Sequence, residues 1–115
     1  MTHEEYIDQR RLTALEIAEA VLVGRVGIVE GARSLSCFGD ALAGAPDSVL
    51  KVFSTVDSDT DHLAVGDERV NWAQEALARQ DLELANADLA HREIVLAACR
   101  TLIARFGKPV PPSEL

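Results

Sequence analysis

At 115 residues the chain is sized for one domain, long enough to bury a single core without disulfides or a structural metal, so no second domain is expected. Hydrophobic residues make up 48% but aromatic ones only 4%, which points to a core of Leu, Val, Ile and Ala and favours close-packed helices over a β-sandwich. A net charge of -8, from 19 acidic residues against 11 Lys plus Arg, opposes any surface that works by neutralising phosphate; it argues against DNA, RNA and anionic lipid and for a basic partner.

In chain order, Thr2 with Glu5 forms a capping box, and Ile7, Leu12, Leu15, Ala18, Val21 and Leu22 follow at roughly helical spacing, which predicts a first helix from about Glu4 to Val23. The start, Met-Thr-His-Glu-Glu, has neither a basic n-region nor an apolar h-region, and no apolar run approaches the ~18 residues of a membrane span. A cytoplasmic protein with no membrane contact is expected. Gly24, Gly27 and Gly31 mark a bend or a close backbone approach, and Val29, Ala32, Leu35, Phe38 and Leu42 then predict a second helix from about Gly27 to Ala43. Gly44-Ala45-Pro46-Asp47 breaks the chain and starts another element. Val49, Val52, Phe53 and Val56 at i, i+3, i+4 and i+7 predict a short third helix, with a strand as the alternative left open by Val, Phe and Thr enrichment.

The acidic segment begins where this helix ends, so its carboxylates are expected in a connection running through Gly66. From Asp67 the pattern is helical again, with Trp72, Ala73, Ala76 and Leu77 on the apolar side and Gln80-Asp81 as a joint. The longest element follows. Leu82, Leu89, Leu96 and Ile103 recur every seven residues, with Ala85, Cys99 and Phe106 in the alternating row and Arg92 as its one charged member. This stripe is read as a seam of the bundle's own core, and a homodimer seam is a further use of the same pattern. Gly107 is a natural C-cap and Lys108-Pro109 a stop, giving a helical domain over 1–108 and an extended tail over 109–115. The expected fold is all-α: a compact bundle of four to five helices with a long C-terminal helix.

The chemistry concentrates in Val56-Asp57-Ser58-Asp59-Thr60-Asp61-His62-Leu63, after which Asp67 and Glu68 follow with no Lys or Arg before Arg69. Such a cluster repels itself unless a cation, backbone N–H groups or a basic partner answers it. By spacing, Asp57, Asp59 and Asp61 take positions 1, 3 and 5 of a Ca²⁺ loop and Glu68 takes position 12. Position 6 is His62, where the sharp turn requires Gly, and no second loop pairs with it. Ca²⁺ is therefore expected to bind weakly or not at all, with Asp57, Asp59, Asp61 and Glu68 as its ligands if it binds.

Two roles remain for the segment. In the structural one, Ser58 or Asp59 caps the turn, Asp61 accepts backbone N–H bonds and His62 shares a proton with a neighbouring carboxylate. In the functional one, Asp57, Asp59, Asp61, His62, Asp67, Glu68 and Trp72 form a partner-binding surface, with Glu83 distant from it. Arg33 in the second helix either pairs with Glu30 or answers the acidic loop.

His62 follows Asp59, and His91 follows Asp88, at a spacing that loosely suggests di-iron bundles, but those sites also want glutamates on two facing helices. No Ser-His-Asp order, G-x-S-x-G elbow, phosphate loop or H-E-x-x-H is present. Cys37 and Cys99 form no C-x-x-C pair and are expected to be small buried hydrophobes. No catalytic residue is assigned, and a non-enzyme is preferred.

Gly24-Arg25-Val26-Gly27-Ile28-Val29-Glu30-Gly31-Ala32-Arg33, then Asp57 through Leu63, then Trp72 and Cys99-Arg100, together resemble a group of small uncharacterised bacterial proteins. That group pairs a G-x-x-G-I-x-E-G-A-R segment with a D-S-E-T-D-H-L-P-x-G segment and carries no established activity. The resemblance covers most of the chain and implies a shared fold and a structural or binding role for the acidic segment. Asp59 stands where the group tends to have Glu, and Ala64 where it tends to have Pro. Size, charge and the carboxylate cluster lead to an expected non-catalytic binding protein, most concretely an immunity-type inhibitor that occludes the basic active site of a cognate toxin such as a nuclease. The alternative is a small metal-binding or enzymatic protein using Asp57, Asp59, Asp61, His62 and Glu68.

Overall fold

Thr2 starts the first helix as its spacing to Glu5 dictates: its hydroxyl oxygen accepts the Glu5 backbone N–H at 3.1 Å and donates to the Glu5 carboxylate at 3.2 Å. The computed structural model describes residues 2–107. Within them lie α1 (His3–Leu22), α2 (Ile28–Ser36), α3 (Asp47–Asp59), a 3-10 helix (Gly66–Asn71) and α4 (Gln74–Phe106). The fold is all-α, with a long C-terminal helix as its spine. The Lys108-Pro109 stop and the tail over 109–115 lie outside the described residues.

Small residues let α1 sit close to its neighbours. Ala14, Ala18 and Val21 are its buried positions, whereas Leu12, expected on that face, is largely exposed. Gly24 turns the chain between α1 and α2 at φ +81, a region that side chains with a Cβ rarely adopt. Gly31 serves a different purpose: a Cβ there would collide with the Val21 side chain, so α2 crosses α1 where only glycine fits.

The second helix is shorter than its apolar period suggests. It ends at Ser36, not Ala43, and residues 37–42 continue as turns in which Phe38 N–H bonds Leu35 O and Ala41 N–H bonds Phe38 O. Two causes are visible. Ser36 Oγ donates to Arg33 O at 2.7 Å, competing with the helical ladder, and two guanidinium groups of α1 take up carbonyls of the turns. Arg10 reaches Cys37 O at 2.8 Å and Arg11 reaches Ala41 O at 2.9 Å. The turns still bury Ala41 and Leu42, so the burial pattern outlasts the helix.

The third element is a helix and not a strand, with Val49, Phe53 and Val56 buried. Helix α4 runs straight through Gln80-Asp81 with no joint, and its 33 residues give a length of ~50 Å, which sets the 52 Å long axis of the molecule. Its buried row is Val95, Ala98, Cys99 and Leu102, all in the C-terminal half. There α1 lies antiparallel to it: Arg11 stacks over the Phe106 ring at 4.9 Å, while Val21 and Leu22 sit by Leu96. The core joins these positions to Ile28, Ala32 and Leu35 of α2 and to Phe53, its largest fully buried side chain. The seven-residue stripe is thus only half used, because Leu82 and Leu89 are each 71% exposed. Among the described residues, no helix is long and apolar enough to cross a membrane.

Candidate functional site

Arg33 lies on the face of α2 turned toward the end of α3, with its side chain only 15% exposed. Its guanidinium gathers four acceptors. Nε bonds Asp57 Oδ1 at 3.2 Å, Nη1 bonds Leu63 O and Glu68 Oε2 at 2.8 Å each, and Nη2 bonds Thr60 O at 2.6 Å. A planar fork with five N–H donors suits this task, and a point charge such as Lys would not. The chain from the end of α3 to the 3-10 helix is wrapped around one cation. Ser36 Oγ adds a bond to Asp57 Oδ2 at 3.3 Å, and Thr60, buried, donates from Oγ1 to Val56 O at 2.6 Å.

Helix α4 holds the same segment from the other side. Gln80 accepts the Ala64 N–H and donates to His62 O, each at 3.3 Å, and His62 Nε2 donates to Glu83 Oε1 at 2.6 Å. Arg69 joins the 3-10 helix to Asp81 at 2.9 Å. About two turns beyond Asp81, Asp88 Oδ1 accepts the Val29 N–H at 3.0 Å. The N-cap of α2 is Gly27, which has no side chain to offer, so a carboxylate from α4 caps that helix and meets the positive end of its dipole.

These bonds sort the predicted residues. Asp57 and Glu68 turn inward to Arg33, which answers the acidic segment instead of pairing with Glu30. Asp59, Asp61 and Asp67 are exposed and form no ion pair among the described residues. Asp57 and Asp59 belong to the last turn of α3 and not to a connection, because the helix runs on to Asp59. Asp67 and Glu68 open the 3-10 helix. Trp72 falls in the extended break between that helix and α4, 40% exposed, so the helix expected from Asp67 is interrupted at its aromatic residue. Glu83 is not distant from the segment, since it bonds His62 directly.

The sequence also hides contributors. Asp88 and Val29 are 59 residues apart, and nothing in spacing links them. Gln80 reads as a joint and acts as a brace. Val70, two residues before Trp72, exposes a further apolar side chain at 83%.

The Ca²⁺-loop spacing does not translate into a Ca²⁺-loop geometry. Its first three positions are helical, and its first and last carboxylates flank a guanidinium. Among the described residues, no three His, Cys, Asp or Glu side chains gather as a metal site would need. Of the two cysteines, Cys37 is exposed, contrary to the expectation of burial, because α2 ends just before it; Cys99 is buried, and burial pushes its thiol up to about 11. Away from this region, Arg10 grips both oxygens of Asp40, which holds the Asp40 carboxyl below its ordinary range. Compared with family models, curated proteins and solved structures, the chain matches none.

Proposed function

We propose that the protein is a non-catalytic binding module of the immunity type. It presents the outward carboxylates Asp59, Asp61 and Asp67, with His62 and Trp72 beside them, to the basic active site of a cognate toxin such as a nuclease. The observation that supports this is the division of the acidic segment around Arg33. Two carboxylates are neutralised within the fold, while three stay in solvent on a backbone braced by Arg33 on one side and Gln80 on the other. A braced loop loses little entropy on docking, and the overall charge of -8 steers a basic partner toward it.

The alternative of a metal-binding or enzymatic protein would need Asp57 and Glu68 to act together with Asp59, Asp61 and His62. The Arg33 cation standing between the first two weighs against it.

Calorimetric titration against a basic toxin encoded beside this chain tests the proposal. Asp59→Ala with Asp61→Ala should raise Kd by roughly tenfold or more, with the loss shrinking at high salt, while Glu16→Ala on α1 should leave it unchanged. Unchanged affinity in the double variant would remove the acidic edge from the interface.

A further inference from the structure

We infer that the N-terminal half of α4 docks a second copy of this chain, through an antiparallel two-helix seam. Helix α1 covers the stripe at Leu96 and Ile103, which pack against the core. Beyond the end of α1 the same stripe continues bare: Leu82 and Leu89 are 71% exposed, and Ala78 and Ala85, which alternate with them, are exposed as well. This continuity with packing already made inside the molecule is what a second helix would extend.

The face is self-complementary in one register. Aligned antiparallel about a two-fold axis, Leu82 faces the partner's Ala85, and Leu89 faces the partner's Ala78. The same register sets Glu75 beside the partner's Arg92 at both ends of the seam. Neither Glu75 nor Arg92 has an ion-pair partner among the described residues. Leu against Ala lets the axes approach toward the ~8 Å end of the usual range. A parallel alignment would instead stack Glu75 on Glu75 and Arg92 on Arg92, and like charges oppose it. The acidic groups along the edge of this half-helix do not interfere, because Asp81 is bound to Arg69 and Asp88 caps α2.

From Glu75 to Arg92 the seam is ~26 Å long, which places the contact at the small end of specific interfaces and the dimer in the micromolar range.

Sedimentation equilibrium of the full chain up to ~300 µM tests this. A monomer–dimer equilibrium is expected, and Leu82→Glu or Leu89→Glu should raise its Kd roughly tenfold or more. Both residues are exposed, so circular dichroism should be unchanged. Glu75→Arg should weaken the dimer, and adding Arg92→Glu should restore it. A chain that stays monomeric throughout, as it would if the face received a different protein, overturns the inference. So does a dimer indifferent to Leu82→Glu and Leu89→Glu, or a charge swap that fails to restore pairing.

Discussion

Arg33 donates from Nη2 to the carbonyl oxygen of Thr60 at 2.6 Å, so the residue that caps the end of α3 is held by a side chain 27 positions earlier in the sequence. The same guanidinium holds Leu63 O, which fixes both ends of the turn that follows. An acidic run that looks like a ligand site is therefore also a structural device, with its cation supplied from within.

Removing that cation should be costly. Arg33→Ala leaves two carbonyls and two partly sheltered carboxylates without their donor, and we expect a loss of about 2 to 4 kcal/mol in urea unfolding. Arg33→Lys should recover less than half, because a single ammonium cannot reach all four acceptors. A loss below ~0.5 kcal/mol for Arg33→Ala would show that the network is ornamental.

Gly31→Ala separates two opposing effects. Helix propensity favours Ala by ~1 kcal/mol, but the new Cβ meets the buried Val21 side chain, and overpacking costs ~1 to 3 kcal/mol. We expect net destabilisation in the native background. In a Val21→Ala background the clash is gone, and Gly31→Ala should be neutral or stabilising. The four-variant cycle measures the coupling directly, and purely additive effects would contradict the close approach.

The sequence carries the fold further than the site. A capping box, the apolar period of α3 and the leucine spacing of α4 are local signals, so helices were legible where those residues stand. Boundaries failed where side chains intervened: Ser36 and the α1 arginines end α2 early, and no periodicity reports that. The acidic segment was visible as a cluster, but its division was not, since Arg33 meets Asp57 and Glu68 across 24 and 35 positions. The leucine stripe misled in a different way. A seven-residue repeat announces a seam without saying how much of it a neighbouring helix covers, and α1 is too short to cover Leu82 and Leu89.

The two cysteines should differ sharply in labelling. Cys37 is exposed, whereas Cys99 is buried with its thiol raised to about 11, so at pH ~8 a thiol reagent should modify Cys37 alone until the chain is unfolded. Mass spectrometry of the modified protein gives the answer. Rapid modification of Cys99 in the native state would contradict the packing of α4 against the core.

The Arg10–Asp40 pair gives stability a dependence on pH with a definite sign. Asp40 is held below its ordinary value chiefly by its hydrogen bond to Arg10, so folding favours its charged form. That contribution is fully present above the unfolded carboxylate pKa of ~3.9 and is lost as pH falls through the lower folded value. Asp40→Asn should therefore be less stable than the native chain at neutral pH, and the two denaturation midpoints should converge in acid. A gap that persists undiminished at the lowest pH would assign the effect to something other than this charge.

Ca²⁺ should leave the melting temperature of the native protein unchanged. A site with Kd of ~10 µM would add ~2.7 kcal/mol at ~1 mM Ca²⁺, and for a chain of this size each kcal/mol moves Tm by several degrees. Binding of that strength could not be missed. The physical reason to expect none is that Asp57 and Glu68 already face a guanidinium, which a divalent cation would have to displace against its bonds to Thr60 O and Leu63 O. The remaining pair, Asp59 and Asp61, offers too few oxygen ligands for a cation that takes six to eight. A rise in Tm that Asp57→Asn and Glu68→Gln abolish would overturn this argument and return the acidic segment to metal chemistry.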